Sequence, residues 1–491
     1  MSAVTRQLAR AESRRLLLSP FVLIGAALML ALRTTLSWSE MPVWNQLALD
    51  LSGASVLLAG AVLVAVQLAA SREHRYGMVE VLDSLPTPAR RRTAGLLAAA
   101  PVMAVPAAVV AGVHLLAQVP YGIAGTPPFW ELANAVLIPV VGAVAGVALG
   151  RWLRGTAGVF VGFATAAVVV VVVEGLGATP DNPARWLALV PASGFTEGLD
   201  VPPRPSGWHL AYLLALAVAI GGVALVHRRH WLVPLSVVCV AVACAAGSSV
   251  VQINSQPAAF EPADHSAYRG AAAHDCASRG EVTYCPYHHY GGWVPAWRAA
   301  VDPVVAALPA SARNDLPVVR QRFLSGYEFK RGQWSDAVWV FTRWGRHGAA
   351  ASSRAELAAS FAAAVTGLPS KDELLELANG EPISSCWAGG QARTTVALWL
   401  AAQALPDGAA RLRSHSLRVG AAAYGQDDID AAFALLTLPH GRVTAGLGRG
   451  WEQSTRPTAR RDVLTAIGLP ASVAGRGMSP AAARRDMPTC P

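Results

Sequence analysis

Long apolar stretches alternate with short polar segments along the first half of the chain. A membrane-spanning helix takes about 20 apolar residues, and seven of the stretches approach that length. The flank of the first stretch lacks the small-x-small pattern of a cleaved signal peptide, so we expect this stretch to remain as an anchor. The seven predicted spans are Leu17–Leu36, Leu47–Ala70, Thr93–Gln118, Glu131–Gly150, Thr156–Val173, Trp208–Val226 and Trp231–Val251.

The composition supports a membrane protein. Hydrophobic residues make up 53% and charged residues 14% of the 491-residue chain, which is too apolar for an ordinary soluble protein. After Gln252 the composition becomes mixed, which predicts a soluble part. The fold class is therefore mainly α: a polytopic membrane helical bundle followed by a mostly helical α+β domain. The predicted domains are an amphipathic helix over 1–16, a six-span core over 17–230, a seventh span over 231–251 and a soluble domain over 252–491.

Groups of two or more neighbouring arginines lie in alternate connections of the predicted spans. They precede the first and third spans and follow the fourth and sixth, whereas the loops 37–46 and 119–130 contain no Lys or Arg. Positively charged loops tend to stay in the cytoplasm. We therefore expect a multi-pass cell-membrane protein with a cytoplasmic N-terminus and an extracytoplasmic C-terminal domain. The same placement accounts for the net charge of +9, so membrane lipid is an expected partner and nucleic acid is not.

Four of the six cysteines fall in the soluble part, where an extracytoplasmic location permits disulfides. Cys276 and Cys285 flank a hairpin-like segment and are the pair that we favour. A metal site that includes His274, His288 and His289 is an alternative, although zinc sites usually pair their cysteines at a closer spacing. Free thiols are the third interpretation. We assign no metal ligands.

A charged segment, Ser71–Arg92, separates the second and third spans. Apolar residues at three-residue steps predict a short amphipathic helix over Arg72–Leu85. Gly77 lacks a side chain inside this predicted helix, so it bends the segment or permits a close approach. Pro86 ends the helix, because proline has no amide donor. A solvated helix on the lipid headgroups is the simplest interpretation.

The same segment carries the pattern R-E-x-x-x-G-x-x-E-x-L-x-x-x-P, which resembles the loop between the second and third spans of ABC-2-type transporter permeases. The N-terminal stretch, with Glu12, Arg14 and Arg15, resembles the amphipathic interface helix of that family. Residues 182–199 are similar to its partly re-entrant segment, and the resemblance covers about residues 1–230. The coupling residues that the resemblance implies are Arg72, Glu73, Arg75, Gly77, Glu80, Leu82 and Pro86.

In that family the loop is a coupling helix, here 72–86, that docks on a separate ATP-binding subunit. This chain contains no G-x-x-x-x-G-K-[ST] phosphate loop. We therefore expect a transport subunit that is not an enzyme and has no cofactor of its own, with ATP and Mg²⁺ held by the partner. The resemblance implies two permease copies and two ATPases. Glu73 and Glu80 are expected to contact the ATPase, and the neighbouring arginines are expected to pair with it or with lipid phosphate.

Polar residues inside the spans are candidates for a transport path, because polar groups in a membrane often face cavities. These residues are Gln67, His114, Gln118 and Asn134, although His114 also suits helix packing. The nearly apolar interior favours an amphipathic or lipid-like cargo, and the resemblance favours export. The alternative function is a membrane-anchored extracytoplasmic enzyme, sensor or metal-binding receptor with no ATPase partner.

Local patterns in the soluble part predict helices and a small sheet. Capping boxes at Ser353–Glu356 and Ser370–Glu373 each predict the start of a helix, and Trp387–Leu405 is typical of a buried helix. Val318–Leu324 and Ala337–Thr342 are typical of strands.

Known catalytic patterns give no further help in the soluble part. It contains neither H-E-x-x-H nor G-x-S-x-G. The aromatic segment Tyr284–Trp297 suits either ligand binding or interior packing, and we favour packing. A non-catalytic gate or cargo-handling domain is the resulting expectation.

Overall fold

The protein comprises two compact units, Met1–His265 and Ser266–Pro491. Most of the described residues are helical, which confirms the mainly α prediction. The structure, a computed structural model, describes residues 3–78, 89–153, 155–177, 187–190, 204–226, 231–254, 274–322, 337–370, 373–374, 385–474 and 487–491.

The first unit is built from helices in its described part. The α-helices are α1 (Ala3–Leu17), α2 (Pro20–Ser37), α3 (Trp44–Arg75), α4 (Ala89–Ala99), α5 (Ala104–Gln118), α6 (Phe129–Trp152), α7 (Gly155–Gly177), α8 (Ser206–Leu225) and α9 (Leu232–Asn254). A 3₁₀ turn at Ala100–Met103 joins α4 to α5, and another follows at Val119–Tyr121.

Six helical segments among the described residues are long and apolar enough to cross a membrane: α2, α3, α4 to α5 as one segment, α6, α8 and α9. They coincide with six of the seven predicted spans, which confirms the prediction of several helices that are able to span a membrane. The predicted fifth span falls on α7, where the described apolar part, Phe160–Val172, is shorter. Many large apolar side chains on these helices are exposed, as expected for surfaces that face lipid.

Three glycines set the packing of α3 against α6. A Cβ atom placed on Gly142 would lie 2.6 Å from the carbonyl oxygen of Ala59, and one on Gly146 would lie 2.6 Å from that of Leu63. Gly150 continues the row with a Cβ position 2.8 Å from the next α3 carbonyl. Small residues at four-residue steps let two membrane helices approach closely. Because the paired residue numbers rise together, α3 and α6 run in the same direction.

The helix α8 also runs in the direction of α6. The side-chain amide of Asn134 donates to the Ser206 carbonyl at 3.2 Å, near the start of both helices. The Trp152 indole donates to the Val223 carbonyl at 3.3 Å, near the end of both. Helices α6 and α8 therefore point the same way, and α7 lies between them in the chain.

The intervening helix α7 runs in the opposite direction. Near the C-terminus of α3, the Gln67 amide donates to the Gly158 carbonyl of α7 at 2.7 Å. Earlier in α3, a Cβ on Gly60 would lie 3.7 Å from the ring of Phe163 of α7. The contacting residue number in α7 therefore rises as the residue number in α3 falls. Helix α7 is therefore antiparallel to α3, α6 and α8.

The bundle has two chemically different ends. At the arginine end, defined by the C-terminus of α3 with Arg72 and Arg75, α1 packs beside α4. The Glu131 end, defined by the N-terminus of α6, also carries the N-terminus of α8 and the C-terminus of α9. His209 and Gln252 join α8 and α9 there at 3.0 Å.

The second unit combines helices with two small sheets. The strands are β1 (Ala277–Arg279), β2 (Val282–Cys285), β3 (Val318–Arg322), β4 (Ala337–Phe341), β5 (Cys386–Trp387) and β6 (Ala422–Ala423). The first sheet has the order β1-β2-β3-β4, with β1 and β2 antiparallel and the other neighbours parallel. The second sheet pairs β5 with β6 in parallel. The α-helices are α10 (Val294–Ala307), α11 (Ala350–Val365), α12 (Ala392–Gln403), α13 (Gly408–Arg413), α14 (Gln426–Thr437), α15 (His440–Thr455) and α16 (Ala471–Ala474).

The two predicted strands are confirmed as β3 and β4, whereas the helix starts are only partly correct. At the second capping box the Ser370 hydroxyl accepts the Glu373 amide at 3.2 Å and the Glu373 carboxylate accepts the Ser370 amide at 2.5 Å. The first box is wrong, because α11 begins earlier and Ser353 instead accepts the Gly345 amide at 2.9 Å. Helix α12 is shorter than predicted because Trp387 pairs in β5.

The aromatic segment of the second unit lies in its core, as the packing interpretation predicts. Trp293 and Trp297 are 0% exposed, and Tyr284 and Tyr290 are each 1% exposed. Burial raises the pKa of the Tyr284 hydroxyl well above its ordinary value, and the adjacent Asp302 carboxylate adds to the shift. This segment therefore supports the sheet from inside and presents little aromatic surface to a ligand.

Candidate functional site

Two ion pairs connect three helices at the arginine end. Arg72, in the last turn of α3, pairs with the buried Glu12 of α1. Glu73 accepts two hydrogen bonds from Arg92 of α4, at 2.6 and 3.0 Å. Since α3 ends and α4 begins on either side of residues 79–88, the second pair links the two ends of that connection. We call these two pairs the ion-pair frame.

The predicted helix over Arg72–Leu85 is wrong in its first part. Arg72, Glu73 and Arg75 belong to the last turns of the long helix α3, which ends at Arg75. Gly77 follows with a φ of +65°, a left-handed conformation that ends a helix and that glycine adopts without strain. No atom of the described residues would lie within 4 Å of a Cβ there, so among them the glycine serves the turn and no close approach. Glu80, Leu82 and Pro86 lie outside the described residues.

The interface-helix residues divide between the two faces of α1. Glu12 is 6% exposed and faces the bundle, whereas Arg14 and Arg15 are exposed. A Cβ on Gly95 of α4 would lie 3.2 Å from Leu8, so α1 lies directly against the start of the third span. The ion-pair frame therefore rests on packed helices.

The Glu131 end holds a completely buried ion pair. The side chains of Glu131 and Arg204 are both 0% exposed, and Arg204 donates to the carboxylate at 2.7 and 3.1 Å. The hydroxyls of Ser52 and Ser206 donate to the same carboxylate at 3.0 and 2.8 Å. Asn134 adds a 3.3 Å contact. A buried charge is tolerated only when it is paired and hydrogen-bonded, and this carboxylate meets both conditions.

Arg204 also fixes the segment 187–190. Its guanidinium donates to the carbonyls of Ala188 and Leu189 at 2.9 and 3.2 Å. The Glu131 cluster, defined as Glu131, Arg204 and their partners, therefore connects α3, α6, the start of α8 and this segment. The remainder of the predicted re-entrant stretch, 182–199, lies outside the described residues.

The four predicted transport-path residues take part in different helix contacts. Gln67 is 0% exposed and bonds to α7, as described above. Gln118 is 3% exposed and donates to the Ser37 hydroxyl of α2 at 3.4 Å. Asn134 belongs to the Glu131 cluster, and His114 is buried on α5. These contacts stabilise the packing between helices.

The Glu131 cluster is the site that sequence reasoning missed. In the sequence, Glu131 is the first residue of a predicted span, and Arg204 lies between two predicted spans. The charge pattern nevertheless contains a signal that these two residues pair. A carboxylate at the edge of one span and an isolated arginine just before another, both at the arginine-poor end, are costly there unless they pair.

Both disulfides of the structure lie in the second unit. Cys276 and Cys285 are bonded, which confirms the favoured pair, and Cys386 is bonded to Cys490. His288 contacts Asp275 at 2.7 Å and His274 contacts the Gln321 carbonyl at 2.8 Å. Among the described residues, no group of three or more His, Cys, Asp or Glu side chains is arranged to hold a metal ion.

The chain matches no protein-family model, no curated protein and no solved structure. The two polar arrangements therefore have to be interpreted from their own chemistry. The ion-pair frame joins three helices at one end of the bundle, next to exposed residues such as Tyr76, Arg90 and Arg91. The Glu131 cluster is buried and saturated with hydrogen bonds, which suits the anchoring of helices.

Proposed function

We propose that this protein is the membrane-spanning permease subunit of an ABC-2-type transporter, which exports an amphipathic or lipid-like compound with energy from a separate ATP-binding subunit. The observation that carries the proposal is the ion-pair frame. A force applied to the connection between α3 and α4 reaches α3 through its own backbone, α4 through Glu73 and Arg92, and α1 through Arg72 and Glu12. Charge-assisted hydrogen bonds are among the stronger polar contacts, so the three helix ends move together.

This arrangement changes the role that we assign to Glu73. Its side chain is 18% exposed and engaged with Arg92, so it braces the connection. Glu80 remains the proposed acidic contact with the ATPase. Gly77 forms the turn at which the connection leaves α3, and a bulky residue there would be strained.

The directions of the helices support a seven-crossing topology. Since α6 and α8 run the same way, the chain has to return between them, and α7 runs in the required direction. With α7 as a crossing, α1 and the C-terminus of α9 lie on opposite sides. A cytoplasmic arginine end would then put the second unit outside, where disulfides form readily.

The test starts from the full chain purified from its native membranes in mild detergent. We expect a co-purifying subunit with a phosphate loop, identified by mass spectrometry, and ATP hydrolysis by the complex. Arg92→Glu should uncouple hydrolysis from cargo export in reconstituted vesicles, because it reverses one charge of the frame. The double variant Glu73→Arg with Arg92→Glu should restore coupling.

Arg411→Glu is the matched control, because Arg411 forms an exposed pair with Asp407 at 2.8 Å in the second unit. This charge reversal should leave coupling unchanged. The alternative of an anchored enzyme or sensor would be favoured by a different result. The chain would then purify without a partner subunit, would not hydrolyse ATP, and would show an activity confined to its second unit.

A further inference from the structure

The described arginines of α1 and of the helix ends on either side of residues 79–88 form two groups with different environments. Arg72 and Arg92 pair with acids, and Arg75 donates to the Leu68 carbonyl at 2.9 Å. The second group is exposed and takes part in no ion pair among the described residues. It consists of Arg6, Arg10, Arg14 and Arg15 on α1 and of Arg90 and Arg91 at the start of α4.

The spacing of the exposed arginines places them on one surface. Arg6, Arg10 and Arg14 are four residues apart, so they form a row along α1. The buried residues Thr5 and Leu16 lie on the other side of the same helix. The described acids at this end are already engaged, since Glu12 binds Arg72 and Glu73 binds Arg92. The exposed row therefore faces outward, and no acid of the described residues compensates its positive charge.

An apolar line runs beside this row. Val4, Ala11 and Leu18 are seven residues apart, which is close to two helical turns, and all three are exposed. Val4 is 43% exposed and Leu18 is 65% exposed. Arg14 and Arg15 flank the line on its two sides. Exposed Val and Leu side chains beside a row of arginines suit a helix that lies at a membrane surface, and the first helix able to span a membrane begins directly after the line at Pro20.

We propose that the exposed face of α1, together with Arg90 and Arg91, binds the headgroups of anionic phospholipids. The arginines provide planar donors for phosphate oxygens, and the apolar line fits the boundary between headgroups and acyl chains. An acidic protein surface would match the charge but would leave Val4 and Leu18 without an apolar partner, so lipid is the better fit. Clusters of four to eight basic residues beside a span are typical of such binding.

The experiment measures lipid binding to the detergent-purified full chain by native mass spectrometry. Phosphatidylglycerol, phosphatidylcholine and inorganic phosphate are titrated separately. The chain should bind phosphatidylglycerol with preference over the other two. The triple variant R6Q/R10Q/R14Q should lower that affinity on the order of a hundredfold, because each basic residue near a charged membrane surface contributes about 1 kcal/mol. R90Q/R91Q, on a different helix, should lower it by a smaller factor.

The matched control is R442Q/R449Q/R456Q, which removes the same charge from exposed positions of the second unit and should leave lipid binding unchanged. Equal losses in the control, equal affinity for phosphatidylcholine, or full competition by inorganic phosphate would overturn the proposal. So would a triple variant that keeps its lipid in this titration but no longer co-purifies with an ATP-binding subunit from native membranes, because the face would then dock a protein. The titration measures lipid binding alone, so its result is independent of the proposed transport function.

Discussion

Glu131 shows why a buried polar residue need not mark a transport path. Its carboxylate accepts hydrogen bonds from Arg204, Ser52 and Ser206 in a site from which water is excluded. Each acceptor position is used, so the group is stable as an anion without a ligand. The same principle applies to Gln67, whose amide bridges α3 and α7. A hydropathy pattern shows that a polar residue lies within an apolar stretch. It does not show the hydrogen-bond partners of that residue, which come from distant parts of the chain.

We predict that Glu131→Gln destabilises the protein by about 3 to 5 kcal/mol, because it leaves the Arg204 charge buried without its counter-ion. Thermal unfolding of the detergent-purified chain measures the change. Glu452→Gln, at an exposed position, is the control and should unfold like the natural chain. The double variant Glu131→Met with Arg204→Met should recover much of the loss. A double variant as unstable as the single one would contradict the pairing argument.

We predict that the buried hydroxyl of Tyr424 makes the second unit less stable at alkaline pH. Burial raises the pKa of its hydroxyl to about 12, and the Asp428 carboxylate adds to the shift, whereas an unfolded tyrosine titrates near about 10. The unfolded chain therefore loses this proton first. The stabilisation is complete below about pH 10 and falls by up to about 1.4 kcal/mol per pH unit as the pH approaches 12.

The unfolding temperature of the detergent-purified chain is measured at several pH values between about 9 and 12, which covers the range in which Tyr424 titrates. Tyr424→Phe should show a flatter decline than the natural chain, since it has no hydroxyl to titrate. Tyr76→Phe removes a hydroxyl from a side chain that is 72% exposed and should follow the natural chain. Parallel curves for all three proteins would rule out the contribution of Tyr424.

At the scale of the element, the row of glycines in α6 determines how closely two spans approach. We predict that Gly146→Leu costs on the order of 1 to 3 kcal/mol or more, because its Cβ would lie 2.6 Å from the Leu63 carbonyl oxygen and 3.0 Å from Val66. Gly112→Leu in α5 is the control, since no atom in the described part of the chain lies within 4 Å of a Cβ there. Thermal unfolding distinguishes the two, and equal stability of both variants would show that α3 and α6 can separate freely.

The elements themselves were predictable to different degrees. Long apolar runs identified six spans, since length and hydropathy are local properties. The strands β3 and β4 followed from their β-branched residues. The prediction of a helix over Arg72–Leu85 was wrong at Gly77. The periodicity of apolar residues continues across this glycine, although its backbone adopts a left-handed conformation that ends the helix. The start of α12 was placed too early, because the pairing of Trp387 with Ala423 lies far along the chain.

At the scale of the whole molecule, sidedness depends on whether α7 crosses the membrane. The arginine pattern predicts seven crossings, and hydropathy alone finds six strong spans among the described residues. We propose seven, because α6 and α8 are parallel and a chain has to return before it can run the same way twice. An even number of crossings would put α1 and the disulfides of the second unit on the same side of the membrane.

This difference predicts the reactivity of single cysteines. The free cysteines Cys239 and Cys244 are first replaced by alanine, and a cysteine is then introduced at Gln7 of α1 or Gln453 of the second unit, both exposed. A membrane-impermeant maleimide applied to intact cells should label Gln453→Cys at once. It should label Gln7→Cys only after the membrane is permeabilised, because seven crossings place the two positions on opposite sides. The parent without introduced cysteines measures background labelling. Labelling of both positions before permeabilisation, or of neither, would mean that α7 does not cross.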